Sequence, residues 1–316
     1  MRLGESMRTM EDRTANLLAF PGFDRVAHGL ASGFLAVHEA APRLAALFST
    51  QQRWLMSHVA LARHFAGVRA GRPGLSRREF LEDLQPLGLA SRNTAAAFFT
   101  EALHYGIVQP SPAAGRTTDL VVPAPATLSA LTEWFALHLG ALDRLDGGSR
   151  LAHLRRSEES LLANMQPLVA GALLGNRTVR TPPQTYAIFA SIDDGGSLMD
   201  RLISGLDVDT APRQDRALTN VTSVSALARP LNLSRTHAGR TLASAIAIGA
   251  LGWSGAPGHS RLWLSQDFRS DYARIQAEKL AIIDFAFNAT VRSEEPEIGP
   301  EVLGWHFEDA GISPAL

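Results

Sequence analysis

Two four-residue runs, Ser91-Arg92-Asn93-Thr94 and Ser234-Arg235-Thr236-His237, carry the most specific chemistry in this chain. They stand 143 positions apart. Each sets a hydroxyl residue, an arginine and further polar side chains at the expected start of a helix. A helix start offers unpaired backbone N–H groups and a positive dipole end to an anion. An arginine grips a phosphate, or forks onto the edge of a guanine, and an asparagine pairs with adenine. At 100° per residue, Thr236, Arg240 and Ala243 face outward on the second helix, with His237 and Ser244 beside them. Asn93, Ala97 and Thr100 face outward on the first, with Thr94 and Glu101 beside them. Downstream, Arg116 in the first half and His259 and Arg261 in the second sit where a hairpin tip would carry them to a flanking backbone. Ser91, Arg92, Asn93, Thr94, Arg116, Ser234, Arg235, Thr236, His237, Arg240, His259 and Arg261 are therefore the candidate binding residues for double-stranded DNA.

The elements that position them recur at the same offset. Pro86 to Leu89 and Pro230 to Leu233 both read Pro-Leu-x-Leu, a turn before each helix. Ala95, Phe99, Ala102 and Leu103, and likewise Ala238, Leu242, Ala245 and Ile246, supply an inner stripe. Gly106 and Gly249 end the helices. Each half continues with two short strands (Ile107 to Pro110 and Leu120 to Pro123; Leu251 to Trp253 and Leu262 to Leu264) around a Pro/Gly-rich tip, then a closing amphipathic helix. Ser49 with Gln52 reads as a capping box for a helix ahead of the first motif, and Ser76 with Glu79 as the capping box that starts the short first helix of that motif. The span 150–175 reads as one helix opening the second half. A repeat of this kind fixes the architecture before the details do.

Composition narrows the class. At 316 residues and 46% hydrophobic content the chain can bury two ordinary cores. A net charge of −1 excludes a polycationic protein. The charge is uneven, however: residues 213–261 hold six arginines against one acid, and residues 68–116 six against four. The absence of cysteine removes disulfides and thiolate chemistry and suits the cytoplasm. No leader segment, membrane span, nucleotide loop, nucleophile elbow or metal-ligand spacing stands out, so no cofactor, no metal and no enzymatic activity are expected.

The layout resembles the winged helix-turn-helix regulators of the MarR type. The resemblance is carried by the Ser91-Arg92 and Ser234-Arg235 helix starts, the strand–wing–strand pattern, and Arg261-Leu-Trp-Leu-Ser265 leading into the closing helix. It implies a mainly α fold with small β-wings, two winged helix-turn-helix units forming a pseudo-dimer in one chain. The expected parts are a flexible tail over 1–23, a first unit over 24–147, a second over 148–292, and an acidic tail over 293–316. The implied function is a cytoplasmic, sequence-specific transcriptional regulator that sets both recognition helices and wings on adjacent half-sites. It would work as a monomeric pseudo-dimer or a homodimer. The resemblance also implies room for a small-molecule effector between the repeats, which no single residue marks. A plasmid-type replication initiator, or a winged-helix protein-interaction module, are the other expectations. Because Ala97 stands at the counterpart of Arg240 and Glu101 would face phosphates unfavourably, the second unit is expected to contribute more affinity.

Overall fold

A computed structural model describes residues 3–40, 48–72, 74–112, 120–231 and 233–294. Arg116 and residues 295–316 of the expected acidic tail lie outside the described residues. The chain is mainly helical, with two small three-stranded antiparallel sheets.

The amino-terminal segment corrects the first expectation. In place of a flexible tail over 1–23, helix α1 spans Leu3–Ala19 and packs along the last helix. Its polar sequence hides a docking face. Thr14 is buried and donates to Glu278 Oε2 at 3.3 Å, Arg13 pairs with Asp284 at 2.7 Å, and Met10 and Leu17 rest on the core. Helix α2 (Phe23–Ala40) follows, then α3 (Gln51–Arg69). The N-cap of α3 is Thr50, which accepts from the Arg53 N–H, one residue beyond the Ser49 expected. The capping box of Ser76 with Glu79 is present and starts α4 (Arg77–Leu84). Helix α5 (Arg92–His104) leads through Gly106 into β2 (Val108–Pro110), β3 (Leu120–Pro123) and α6 (Pro125–Asp146).

The second half opens on two helices rather than one. The chain breaks at Ser157 between α7 (Arg150–Arg156) and α8 (Glu158–Gly175). Short helices α9 (Arg177–Arg180), α10 (Gln184–Ala190) and α11 (Gly195–Ile203) precede α12 (Val224–Ala228) and α13 (Arg235–Ala247). Strands β5 (Leu251–Trp253) and β6 (Leu262–Ser265) lead into α14 (Gln266–Glu294). Helices α5 and α13 each have 13 residues, and β2 and β5 keep the same 143-residue offset. Each sheet gains a third strand that alternation alone could not reveal. Two-residue β1 (Leu75–Ser76) pairs with β3, and β4 (Arg216–Leu218) pairs with β6, so the strand orders β1-β3-β2 and β4-β6-β5 match.

Packing crosses between the halves in a matched way. Helix α2 lies against α6 of its own half and α11 of the other, while α8 lies against α14 of its own half and α3 of the other. The closing helices α6 and α14 also touch. One continuous apolar cluster therefore runs through both halves, from Leu30 and Phe135 to Phe189 and Leu280. Each such side chain contributes roughly 1.5–3 kcal/mol by leaving water.

A polar seam lies inside this core. Tyr272 donates from its hydroxyl to Asp200 Oδ1 at 2.6 Å, and burial holds the Asp200 carboxyl above its usual range. Burial lowers the ammonium of Lys279, the one lysine of the sequence, which lies 5.1 Å from the Trp54 ring centre. Burial also drives His58 and His138 down to about 3, so both are neutral. The Gln166 amide donates to His58 Nδ1 at 3.0 Å, which leaves the ring proton on Nε2.

Candidate nucleic-acid interface

The caps of α5 and α13 are built alike. Ser91 accepts from the Thr94 N–H at 3.2 Å, and Ser234 accepts from the His237 N–H at 3.1 Å. Gly106 and Gly249 take left-handed φ values of 67° and 72°, turning the chain from each helix into its first strand. Beneath each helix the buried set is one step rotated from expectation. Ala95, Phe98, Phe99 and Ala102 are buried on α5, and Ala238, Thr241, Leu242 and Ala245 on α13. Leu103 and Ile246, expected inside, are exposed to 44% and 39%. The reason is geometric: an i, i+3, i+4, i+7 stripe takes its second member from position 98 or 241, not from 103 or 246.

The outward faces are as expected and gain one residue. Asn93, Ala97 and Thr100 are exposed on α5, and His104 joins them one turn further on. Thr236, Arg240 and Ala243 are exposed on α13. Arg92, Arg235 and Arg240 are exposed, and among the described residues none makes an ion pair or a side-chain hydrogen bond. Their guanidinium groups carry full donor capacity into solvent. Glu101 does not confront an incoming anion alone, because Arg53 of α3 pairs with it at 2.8 Å.

Other expected residues are engaged by the protein itself. His237 is half-buried, and its Nε2 stands 3.3 Å from the Asp193 carbonyl. That contact fastens the start of α13 to the turn before α11. The hydroxyls of Ser91 and Ser234 serve as caps, so what these positions offer an anion is the free N–H groups of the first turn. Arg261 is exposed but donates from Nε to the Thr219 carbonyl at 2.6 Å, which fixes the guanidinium against the second sheet. His259 is exposed at the tip between β5 and β6.

Two arginines beside the second motif escaped sequence reasoning. Arg216 of β4 lies 4.4 Å from the Trp263 ring centre, stacked on the outer face of the sheet. Gly252 is required there: a Cβ would lie 2.5 Å from the Trp263 ring. Arg229, in the turn before α13, is exposed. The signal for Arg216 lay in the arginine count of this segment, but its strand was too short to recognise.

Two cavities adjoin these elements. Inside the first half, α2, α3 and α6 surround an apolar cavity of about 170 Å3 lined by Phe34, Trp54, His58 and Trp134. Between the halves, a wider groove of about 610 Å3 is lined by Thr50, Gln51, Gln52, Arg177, Arg180 and Ser191 among others. Among the described residues no group of three metal-ligating side chains converges, and no helix is long and apolar enough to cross a membrane. Comparison of the chain with protein-family models, with curated proteins and with solved structures finds no match in any of the three.

Proposed function

We propose that the protein is a sequence-specific double-stranded DNA-binding regulator, with α5 and α13 as the recognition helices of two winged helix-turn-helix units joined as a pseudo-dimer. The observation that carries the reading is the pair of identically capped, 13-residue helices, each presenting unpaired arginine in front of a matched three-stranded sheet. The crossed packing of α2 with α11 and α8 with α3 supports the pseudo-dimer. In this reading Arg240 forks onto a guanine edge, Asn93 pairs with adenine, and Arg92 and Arg235 hold phosphates. The two helices differ in outward residues, so the preferred site is asymmetric or an imperfect palindrome. Fluorescence anisotropy with a random duplex pool over a salt series tests the reading. Salt-sensitive binding that the double variant Arg235→Ala/Arg240→Ala loses supports it. No binding at low salt by the wild-type chain would overturn it.

One observation favours a second reading, a winged-helix module that binds protein rather than DNA. Leu103 and Tyr105 in the first half, and Ile246 and Ile248 in the second, are exposed apolar pairs at equivalent positions, with Tyr105 exposed to 65%. Duplex binding that is indifferent to Arg235 and Arg240 would move the assignment there.

In the same reading, a small-molecule effector would occupy the apolar cavity inside the first half rather than the groove expected between the repeats. A dry cavity of ~150 Å3 suffices for one aromatic ring, and the chamber lined by Trp54 and Trp134 is of that order. Saturable, one-to-one binding of toluene by calorimetry, lost when Trp134→Ala opens the cavity wall, supports this placement. No saturable binding contradicts it.

A further inference from the structure

The groove between the halves has a mixed lining that lacks acids. Its described lining includes Arg177, Arg180, Thr50, Gln51, Gln52 and Ser191 beside apolar residues such as Leu55 and Ala187, with no carboxylate among them; the Gln51 amide donates to the Val179 carbonyl. Gln51 and Gln52 are also the first residues of α3, a helix of 19 residues, so the positive end of its dipole opens there. The two arginines do different work. Arg180 donates to the Leu87 carbonyl at 2.7 Å, and Gln52 donates to the Leu89 carbonyl at 2.7 Å. Together they hold the turn that precedes α5. Arg177 is exposed and, among the described residues, makes no ion pair or side-chain hydrogen bond.

The groove is lined by segments next to the starts of both candidate recognition helices. On one side Gly88 and Leu89 line it, just ahead of Ser91. On the other Ser191 lines it, two residues before Asp193, whose carbonyl meets His237 in the first turn of α13. The Asp193 carboxylate, just beyond the lining, accepts the Ser49 hydroxyl at 3.1 Å, which ties α11's approach to the entry of α3. On the duplex-binding reading, the DNA segment between the two half-sites faces the region between the two helix starts, and Arg177 offers an unpaired guanidinium there among the described residues.

We propose that this groove is an anion site for a phosphodiester of the duplex segment between the two half-sites, with Arg177 as its contact. The inference rests on the duplex-binding reading, which it deepens by adding a sequence-independent phosphate contact in the middle of the footprint. The same chemistry would accept a free phosphate ester, and the test separates the two sources.

The experiment is duplex binding by anisotropy over a salt series, for the wild-type chain and Arg177→Ala, on several unrelated sequences. Thermal unfolding of both proteins is measured in parallel, and the exposed, unpaired side chain should leave it unchanged. Arg177→Ala is expected to weaken binding by the same factor on every duplex and to reduce the slope of log K against log salt by about 1. Wild-type binding with unchanged affinity and slope in Arg177→Ala overturns the groove while leaving the duplex reading intact. A wild-type chain that ignores duplexes but binds inorganic pyrophosphate by calorimetry, and loses it in Arg177→Ala, supports an anion site whose source is a free phosphate; the duplex reading then fails alone. Binding of neither probe overturns both.

Discussion

The first and second halves share a scaffold and differ on their faces. Both cap the presented helix with serine, end it at a left-handed glycine, and back it with a sheet of the same strand order. What differs is what solvent permits to differ. In α13 the outward positions carry Thr236 and Arg240, and the flanks add Arg229, Arg216 and Arg261. In α5 they carry Asn93, Ala97 and His104, and the nearest acid, Glu101, is consumed by Arg53. Packing needs constrain the caps, turns and buried stripe, so those features persist in both halves. The exposed positions carry no such packing constraint, and here they differ in charge.

The largest effect tests whether the halves stand or fall together. Their helices interlock around one core, so denaturant unfolding should show a single transition reported identically by tryptophan fluorescence and helix content. Phe135→Ala, in the fully buried centre of α6, should shift that whole transition by about 3–5 kcal/mol. Two separable transitions, with only one shifted, would break the shared-core view. On the binding side, Arg240→Ala should cost about 1–3 kcal/mol of duplex affinity, against less for Asn93→Ala. Equal losses would erase the contrast between the heads.

Protonation should act most directly on the first half, where His58 and His138 are buried and depressed from 6.5 to about 3. The unfolded chain binds these protons first, so the contribution is intact above pH 6.5 and is lost progressively as pH falls toward 3. Each unit in that window costs up to about 1.4 kcal/mol per histidine. Asp83, raised by burial to about 6, titrates in the opposite sense, as does Asp200. The useful comparison is therefore wild type against His58→Gln: the gap in stability should shift in favour of the variant between pH 7 and pH 5. Parallel curves would show that the imidazole of His58 is not what burial holds neutral. Smallest are the caps. Ser91→Ala and Ser234→Ala should each cost about 1 kcal/mol of stability, and by similar amounts, because their geometry is shared. A cap loss confined to one half would show that the two helix starts are not equivalent.

Much of this arrangement was legible in the sequence because it is written in local signals. Serine caps, the turn glycines and the alternation in Leu262-Trp263-Leu264-Ser265 placed α5, α13 and the main strands closely. The rest depends on contacts between distant segments. Helix α1 is laced with charges and polar groups, and its docking face appears only once Asp284 and Glu278 are beside it. Strand β1 has two residues and no period to detect. Within the candidate interface the outward residues of both helices were readable from the 3.6-residue repeat. The engagement of His237 by Asp193 and of Arg261 by Thr219 was not, because both partners come from outside the motif. The role of Arg177 needed the groove itself, which forms only where α3, α8 and α10 meet.

The most direct test of two unequal heads on one duplex is a salt series on a single selected DNA site. Wild type is compared with Arg235→Ala/Arg240→Ala and with Arg92→Ala/Asn93→Ala. The account predicts that all three proteins fold alike, that both variants bind more weakly, and that the second-half variant loses more affinity and more salt slope than the first. Equal losses, a larger loss from the first half, or binding indifferent to both variants would contradict it.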